Sequence, residues 1–403
     1  MRIAKLEKPW QLLIGLMVLL SIISGVILRI LYLTPLGKVN FIHLMHAHSH
    51  LAILGWIYPA IMALFLAVVL NGKQIGKGGT IIFVATQVIN FCMFLAFTVQ
   101  GYALYSIIFS SLHLIVSYLF ISYFIRKLKK NKIHLNTTAG LFIKGSIVVL
   151  LIGSLGPWIL AYWNAASLEK NFIYDLLVHT FLHFQINGWI TMALIGIVLF
   201  LIEQEGGTKQ RSSIEIGFWL YMVSLLPSII LNVDWTTASS SLLYVALIGW
   251  VLKISGIGII LYGIIKIKEL QLSFTGWARH FLLIGLLALF AKTAVEVGNT
   301  IPALIPFAMY TRNIVVGYLH LGLIGFASFT LIALFIQLKW LDTKPLRLSV
   351  FLISFILYEV LLFGDGLLSS LIHKPIPHIH LWLLIVSSIL GLAALSLFMK
   401  KRN

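Results

Sequence analysis

The stretch HLMHAHSHLAILGW, residues 43–56, places four histidines within eight residues and then continues as an apolar segment. Polar and ionisable side chains are costly at membrane depth, and where they occur they usually serve binding or transport. If the surrounding chain spans a membrane, these histidines are therefore the first candidates for a functional site.

Two later stretches repeat this pattern. Residues 179–189, HTFLHFQINGW, have the same His-x3-His-x4-Gly-Trp spacing, and residues 318–326, YLHLGLIGF, match its second half. The equivalent histidines, His50, His183 and His320, are about 135 residues apart. We interpret the chain as three copies of one unit, each with a histidine at the same place.

The composition is that of an integral membrane protein. Of the 403 residues, 60% are hydrophobic and only 10% are charged, whereas about a quarter of the residues of a soluble domain are charged. The net charge of +17 comes from basic residues in short segments between apolar runs, a pattern typical of membrane loops and not of a nucleic-acid-binding module. The single cysteine, Cys92, excludes an internal disulfide and a cysteine-ligated cluster.

Apolar runs of about 20 residues, the length that crosses a bilayer, define the predicted spans. There are about twelve, near residues 10–31, 44–70, 80–99, 101–125, 140–163, 177–202, 213–233, 241–265, 278–299, 313–338, 347–371 and 379–399. We expect an all-α polytopic membrane protein with about 12 transmembrane helices in three pseudo-repeats of four, forming a single transmembrane domain. The predicted repeats are residues 1–135, 136–270 and 271–403.

Basic residues are concentrated in alternate loops and in both terminal segments. Lysine and arginine favour the cytoplasmic side of a membrane. We therefore expect a multi-pass protein of the cytoplasmic (inner) membrane of a prokaryote, with both termini in the cytoplasm. The histidine motifs then open the second, sixth and tenth spans from the outer face.

Helical periodicity divides the first four histidines between two faces. At about 100° per residue, His43, His46 and His50 lie within about 60° of one another, and His48 points nearly the opposite way. Neutral imidazole is a common ligand of haem iron, copper and zinc. An alternative is that the histidines only form hydrogen bonds between helices. The candidate cofactor or metal ligands are His46, His48, His50, His179, His183 and His320.

These motifs resemble those of the catalytic subunit of haem–copper oxidases and nitric oxide reductases. That family has twelve spans with pseudo-threefold symmetry and carries its haem ligands on the second, sixth and tenth spans. The resemblance implies that His50, or His48, and His320 are the axial ligands of a b-type haem. A looser resemblance, in its histidine-rich span and multi-span topology, is to NnrS-type membrane haem proteins linked to nitric oxide stress.

The same resemblance implies a second site, either another haem or copper, at His179 and His183 with His46 or His48. The chain departs from the family here, because the seventh span ends LNVDW, residues 231–235, where the family has adjacent copper-binding histidines. The tyrosine that the family carries on the sixth span is not evident either. We therefore expect one or two haems, with copper possible, and a reduced relative of the oxidases.

Several ionisable residues lie within predicted spans, and four of them suggest a proton path or a buried pair. Lys253 is in the eighth span, where the oxidase family carries a proton-channel lysine, and Glu359 is in the eleventh. They are candidates for a proton path; alternatively, Lys253 forms a structural pair with Glu359 or another carboxylate. Lys292 and Glu296 are four residues apart on one helix and are predicted to pair.

The resemblance implies a redox role: electron transfer, or binding and reduction of a small gas such as oxygen or nitric oxide. Electrons would come from a quinone or a cytochrome-type donor. Whether the chain is an enzyme stays open. The first alternative is a metal or small-solute transporter that uses the histidines as a relay, and the second is a protein that only stores haem.

Overall fold

The computed structural model describes residue 6 and residues 8–70, 75–206, 211–341 and 344–398. Helices and their connecting turns make up this described part of the chain, and it contains no strand. The prediction of an all-α fold is therefore confirmed for these residues.

In the described part of the chain, eleven long helices and one short helix overlap the predicted spans. They are α1 Lys8–Leu31, α2 Phe41–Val69, α3 Gly76–Gln100, α4 Leu104–Lys130, α5 Thr138–Ala165, α6 Phe172–Gln204, α7 Ser212–Ser224, α8 Leu242–Ile265, α9 Gly276–Thr300, α10 Arg312–Gln337, α11 Pro345–Ile372 and α12 Ile379–Phe398. Within the described residues, eleven of these, all except α7, are long and apolar enough to cross a membrane. The chain is a polytopic membrane protein.

The seventh predicted span is shorter than expected. Helix α7 has 13 residues and is followed by a 3-10 segment, Pro227–Asn232. Proline lacks a backbone N–H, and its ring excludes a helical carbonyl four residues earlier, so the α-helix ends before Pro227. The structure thus differs from twelve full-length helices at this one position.

The helices form two compact units. Unit 1 contains α1 to α4, the end of α10 from Leu331, most of α11, and α12; unit 2 contains α5 to α9 and α10 up to Thr330. Nearly all central residues of α2 in unit 1 and of α6 in unit 2 are buried. Each unit is therefore built around one helix that carries a histidine motif.

Helices α2 and α6 begin in the same way. The side chain of Asn40 accepts hydrogen bonds from the amides of Ile42 and His43 at 2.9 and 3.1 Å. The side chain of Asn171 accepts equivalent bonds from Ile173 and Tyr174 at 3.0 and 3.3 Å. An asparagine cap satisfies amides that have no partner within a helix, so both caps fix where the motif helix starts.

Each motif helix becomes π-helical at the residue after the repeated histidine. The π segments are Leu51–Ile57, Phe184–Ile190 and Leu321–Ser328, which follow His50, His183 and His320. Two further π segments end α2 and α11. A π turn is rare and occurs frequently at functional sites. The three repeated histidines therefore share a local backbone feature that the sequence patterns did not predict.

Polar side chains satisfy backbone carbonyl groups in these π segments. Asn90 donates to the Leu54 carbonyl at 2.5 Å, and the Tyr221 hydroxyl donates to the Asn187 carbonyl at 2.5 Å. Ser328 donates to a carbonyl five residues earlier at 2.9 Å. A buried carbonyl without a partner is costly, so these side chains stabilise the π conformation next to the histidines.

Candidate functional site

His48 faces α1, as the helical periodicity predicts. Its Nδ1 donates to the Ser21 carbonyl at 3.0 Å and lies 3.1 Å from Ser24 Oγ. The ring also lies against Gly25, where an added Cβ would be 2.9 Å from His48 Cε1. With Nδ1 held by a carbonyl, Nε2 is the nitrogen left for a ligand bond, as is typical of metal-binding histidines.

His50 lies on the other face of α2. Its Nδ1 donates to the His46 carbonyl at 2.8 Å, and its ring stacks on Phe97 with 4.3 Å between centroids. Its Nε2 lies 3.3 Å from the Tyr102 hydroxyl, whose ring also contacts His46 edge-on at 4.7 Å. His50 is thus oriented in the same way as His48, through Nδ1 and a carbonyl.

His43 lies against the end of α3. Gly101 follows that helix with φ of +63°, and an added Cβ would be 2.6 Å from His43 Cδ2. Positive φ with extended ψ is essentially restricted to glycine. Gly101 therefore sets the close approach between the α3 end and the histidine face of α2.

We expect Gly101→Ala to destabilise the folded protein by about 1–3 kcal/mol, since both the backbone conformation and the His43 contact oppose a side chain. Thermal denaturation in detergent measures the effect. Gly15→Ala in α1 is the control, because the space beside Gly15 is open. Equal melting temperatures for the two variants would contradict the expectation.

In unit 2, His183 uses both ring nitrogens within the protein. Its Nε2 donates to the Leu225 carbonyl at 3.0 Å. Its Nδ1 accepts from the side-chain amide of Asn232 at 2.9 Å and lies 3.2 Å from that of Asn187. The side chain is buried, and in this arrangement neither nitrogen is free to bind a metal.

A cavity of about 30 Å³ adjoins His183. That volume holds about one water molecule and not a macrocycle. His179 is half-buried at its edge. In this arrangement His183 offers no free nitrogen to a second haem or a copper ion, and the second site at His179 and His183 stays a prediction. The polar side chains that line the cavity belong to His179, His183, Asn187, Asn232, Lys292 and Tyr318.

Glu296 is the centre of a buried ionic network beside this cavity. Its Oε2 accepts from Lys253 at 2.7 Å, and its Oε1 accepts from Lys292 at 2.7 Å. Lys292 also donates to Asn187 Oδ1 at 2.7 Å and to the Tyr318 hydroxyl at 2.8 Å, so all three of its N–H groups are used. The side chains of the three charged residues are at most 3% exposed.

The contacts in this network test two predictions from the sequence, the pairing of Lys292 with Glu296 and the carboxylate partner of Lys253. The pairing of Lys292 with Glu296 is confirmed. Lys253 does have a carboxylate partner, but it is Glu296 and not Glu359. Glu359 is 9% exposed, and neither of its carboxyl oxygens has a hydrogen-bond partner among the described residues. Helical spacing shows the first pairing, whereas the second depends on how α8 packs on α9.

The network also contacts the third histidine motif. Tyr318 donates to Glu296 Oε1 at 2.7 Å, and an added Cβ on Gly322 would be 3.2 Å from the Lys292 side chain. Tyr318 stands two residues before His320. His320 is half-buried in unit 2 and His48 and His50 are in unit 1, so their pairing as axial ligands stays a prediction.

Sequence reasoning missed the polar residues that hold these histidines. Asn90, Asn187 and Asn232 all lie inside or beside apolar runs, and a buried amide there requires partners. The Asn90 side chain uses both of its polar atoms: its nitrogen donates to the Leu54 carbonyl, and its oxygen lies 2.8 Å from Nδ1 of buried His113. Amides within predicted spans were therefore a usable signal.

Among the described residues, no group of three or more His, Cys, Asp or Glu side chains is placed to hold a metal ion. The chain matches no protein-family model, and no curated protein is significantly similar to it.

Proposed function

We propose that this chain is a membrane haem protein with one b-type haem, related in architecture to the oxidase catalytic subunit, and that it transfers electrons. Its proposed α2 ligand is His48 or His50. The observation that carries the proposal is the contrast between equivalent histidines. His48 is held through Nδ1 alone, and His50 Nε2 meets only the exposed Tyr102 hydroxyl at 3.3 Å, whereas His183 is closed at both nitrogens by buried partners.

The residues of α2 fit a haem-binding role. A carbonyl bond to Nδ1 fixes the tautomer and raises the basicity of Nε2, which is how proteins prepare imidazole for a metal. Phe97 provides an apolar surface beside His50. A haem bound there would supply one-electron redox chemistry, and the protein's part is to orient the imidazole and exclude water.

Unit 2 supports electron transfer over gas reduction. The position of the family's second metal site contains His183 in a closed hydrogen-bond set and the network around Glu296. We propose that this network replaces the gas-reducing centre. The three π segments support the proposed pseudo-repeats, and a quinone or a cytochrome is the proposed electron donor. The location in the cytoplasmic membrane, with both termini inside, belongs to the same proposal.

A reduced-minus-oxidised optical spectrum of the purified protein, with haem per chain from the pyridine complex, tests this function. We expect b-type bands and one haem per chain. The double variant His48→Ala/His50→Ala is expected to lose the haem, while His183→Gln retains it. Size-exclusion profiles establish that each variant is folded.

The outcomes separate the parts of the proposal. Two haems per chain would show that unit 2 opens to hold a second one. A haem that survives the double variant would show that α2 does not supply the ligand. No haem after expression in a haem-sufficient host would exclude the proposed function and leave metal transport or a structural role for the histidines.

A further inference from the structure

Arg29 is a buried cation near the carboxyl-terminal end of α1. The residue is 7% exposed, and its Nε and Nη2 both donate to the hydroxyl of Tyr358 in α11. The rings of Tyr358 and Tyr32 lie 5.3 and 6.0 Å from its Cζ. Within the described residues Arg29 forms no ion pair, so its charge has no acidic partner there.

An unpaired charge inside a membrane protein is costly and usually functional. A guanidinium group offers a planar fork of donors that matches a carboxylate. Both hydrogen bonds of Arg29 go to one oxygen, and Nη1 makes none within the described part of the chain. The side chain therefore has donors and charge for an anionic oxygen group.

Arg29 lies on the face of α1 that contacts His48. Ser21, Gly25 and Arg29 are spaced by four residues, so they form one stripe along the helix. His48 donates to the Ser21 carbonyl, and its ring lies on Gly25. Arg29 follows one turn later, about 6 Å further along the axis. The stripe thus orients the imidazole of His48 and carries an unpaired cation at Arg29.

We propose that Arg29 binds a propionate carboxylate of the haem and that His48, rather than His50, is the α2 ligand. This inference rests on the proposed function. The iron of a haem binds imidazole, and the edge of the ring carries carboxylates. His48, held against the α1 stripe, offers a partner for the iron, and Arg29 offers a partner for a carboxylate. His50, on the opposite face of α2, contacts Phe97 and Tyr102.

Titration of apoprotein in detergent with haem b and with its dimethyl ester tests the inference. Esterification removes the carboxylate charge and leaves the iron unchanged. We expect the ester to bind the unmodified protein about 10- to 100-fold more weakly than haem b, the range of a charge-assisted hydrogen bond. In Arg29→Gln the two compounds should bind equally, and Arg29→Lys should restore part of the difference.

A second pair of variants identifies the histidine. Gly25→Ala should weaken haem binding, because the added Cβ displaces the His48 ring, while Gly15→Ala on the same helix should not. The melting temperature of apo Arg29→Gln should not fall, since it loses an unpaired charge. Equal binding of haem and ester to the unmodified protein would overturn the role of Arg29. Failure of both to bind would instead reject the proposed function.

Discussion

We expect Glu296→Gln to cost about 3–5 kcal/mol of folding free energy, because removing one partner of a buried ion pair leaves an uncompensated charge. Here the cost is compounded: Glu296 is the only acidic partner that Lys253 and Lys292 have among the described residues. Glutamine keeps the volume of the side chain, so the loss reports charge and not a cavity. Denaturant titration in detergent micelles measures it.

Glu359→Gln is the matched control. Glu359 is also a buried glutamate in a membrane helix, but its carboxyl oxygens have no hydrogen-bond partner within the described residues, so we expect a change within about 0.5 kcal/mol. Replacing Lys253, Lys292 and Glu296 together with apolar residues of similar volume should recover much of the loss, as buried ion clusters often allow. Similar losses for Glu296→Gln and Glu359→Gln would show that the network does not stabilise unit 2.

The sequence predicted what depends on local spacing. Helical periodicity separated His48 from His46 and His50, and the spacing of Lys292 and Glu296 predicted their pairing. The partner of Lys253 lies 43 residues away, and no local pattern specifies it. Pro227 lies within the predicted seventh span. Because proline interrupts an α-helix, the sequence already contained the signal for a short α7.

The histidines show where a motif alone is insufficient. His50 and His183 occupy the same position in the same motif, but the second nitrogen of His50 meets an exposed tyrosine hydroxyl, whereas both nitrogens of His183 meet groups inside unit 2. The difference comes from Leu225 and Asn232, which the end of α7 and the 3-10 segment after it bring to His183. A repeated pattern therefore predicted a shared position, but tertiary contacts decide whether each histidine is available.

The π segment after His50 depends on Asn90. We expect Asn90→Leu to leave the Leu54 carbonyl and His113 Nδ1 without their present partners, at a cost of about 1–3 kcal/mol for each group. The helix can recover its carbonyl bond by returning to α geometry. That change alters the number of residues per turn and rotates one side of α2 against the other by up to about 100°.

Such a rotation would move the histidines relative to the buried half of α2, so Asn90→Leu should lower both stability and haem content. Thr86→Val on the same helix is the control: Thr86 is equally buried, but its hydroxyl donates only to its own helix, at the Ile82 carbonyl. Thermal denaturation and haem per chain measure the two effects separately. If stability falls while haem content is unchanged, Asn90 only supports packing; if both stay unchanged, the π segment does not require this amide. A fall in both would show that the rare backbone turn, and not the histidine spacing alone, positions the ligand.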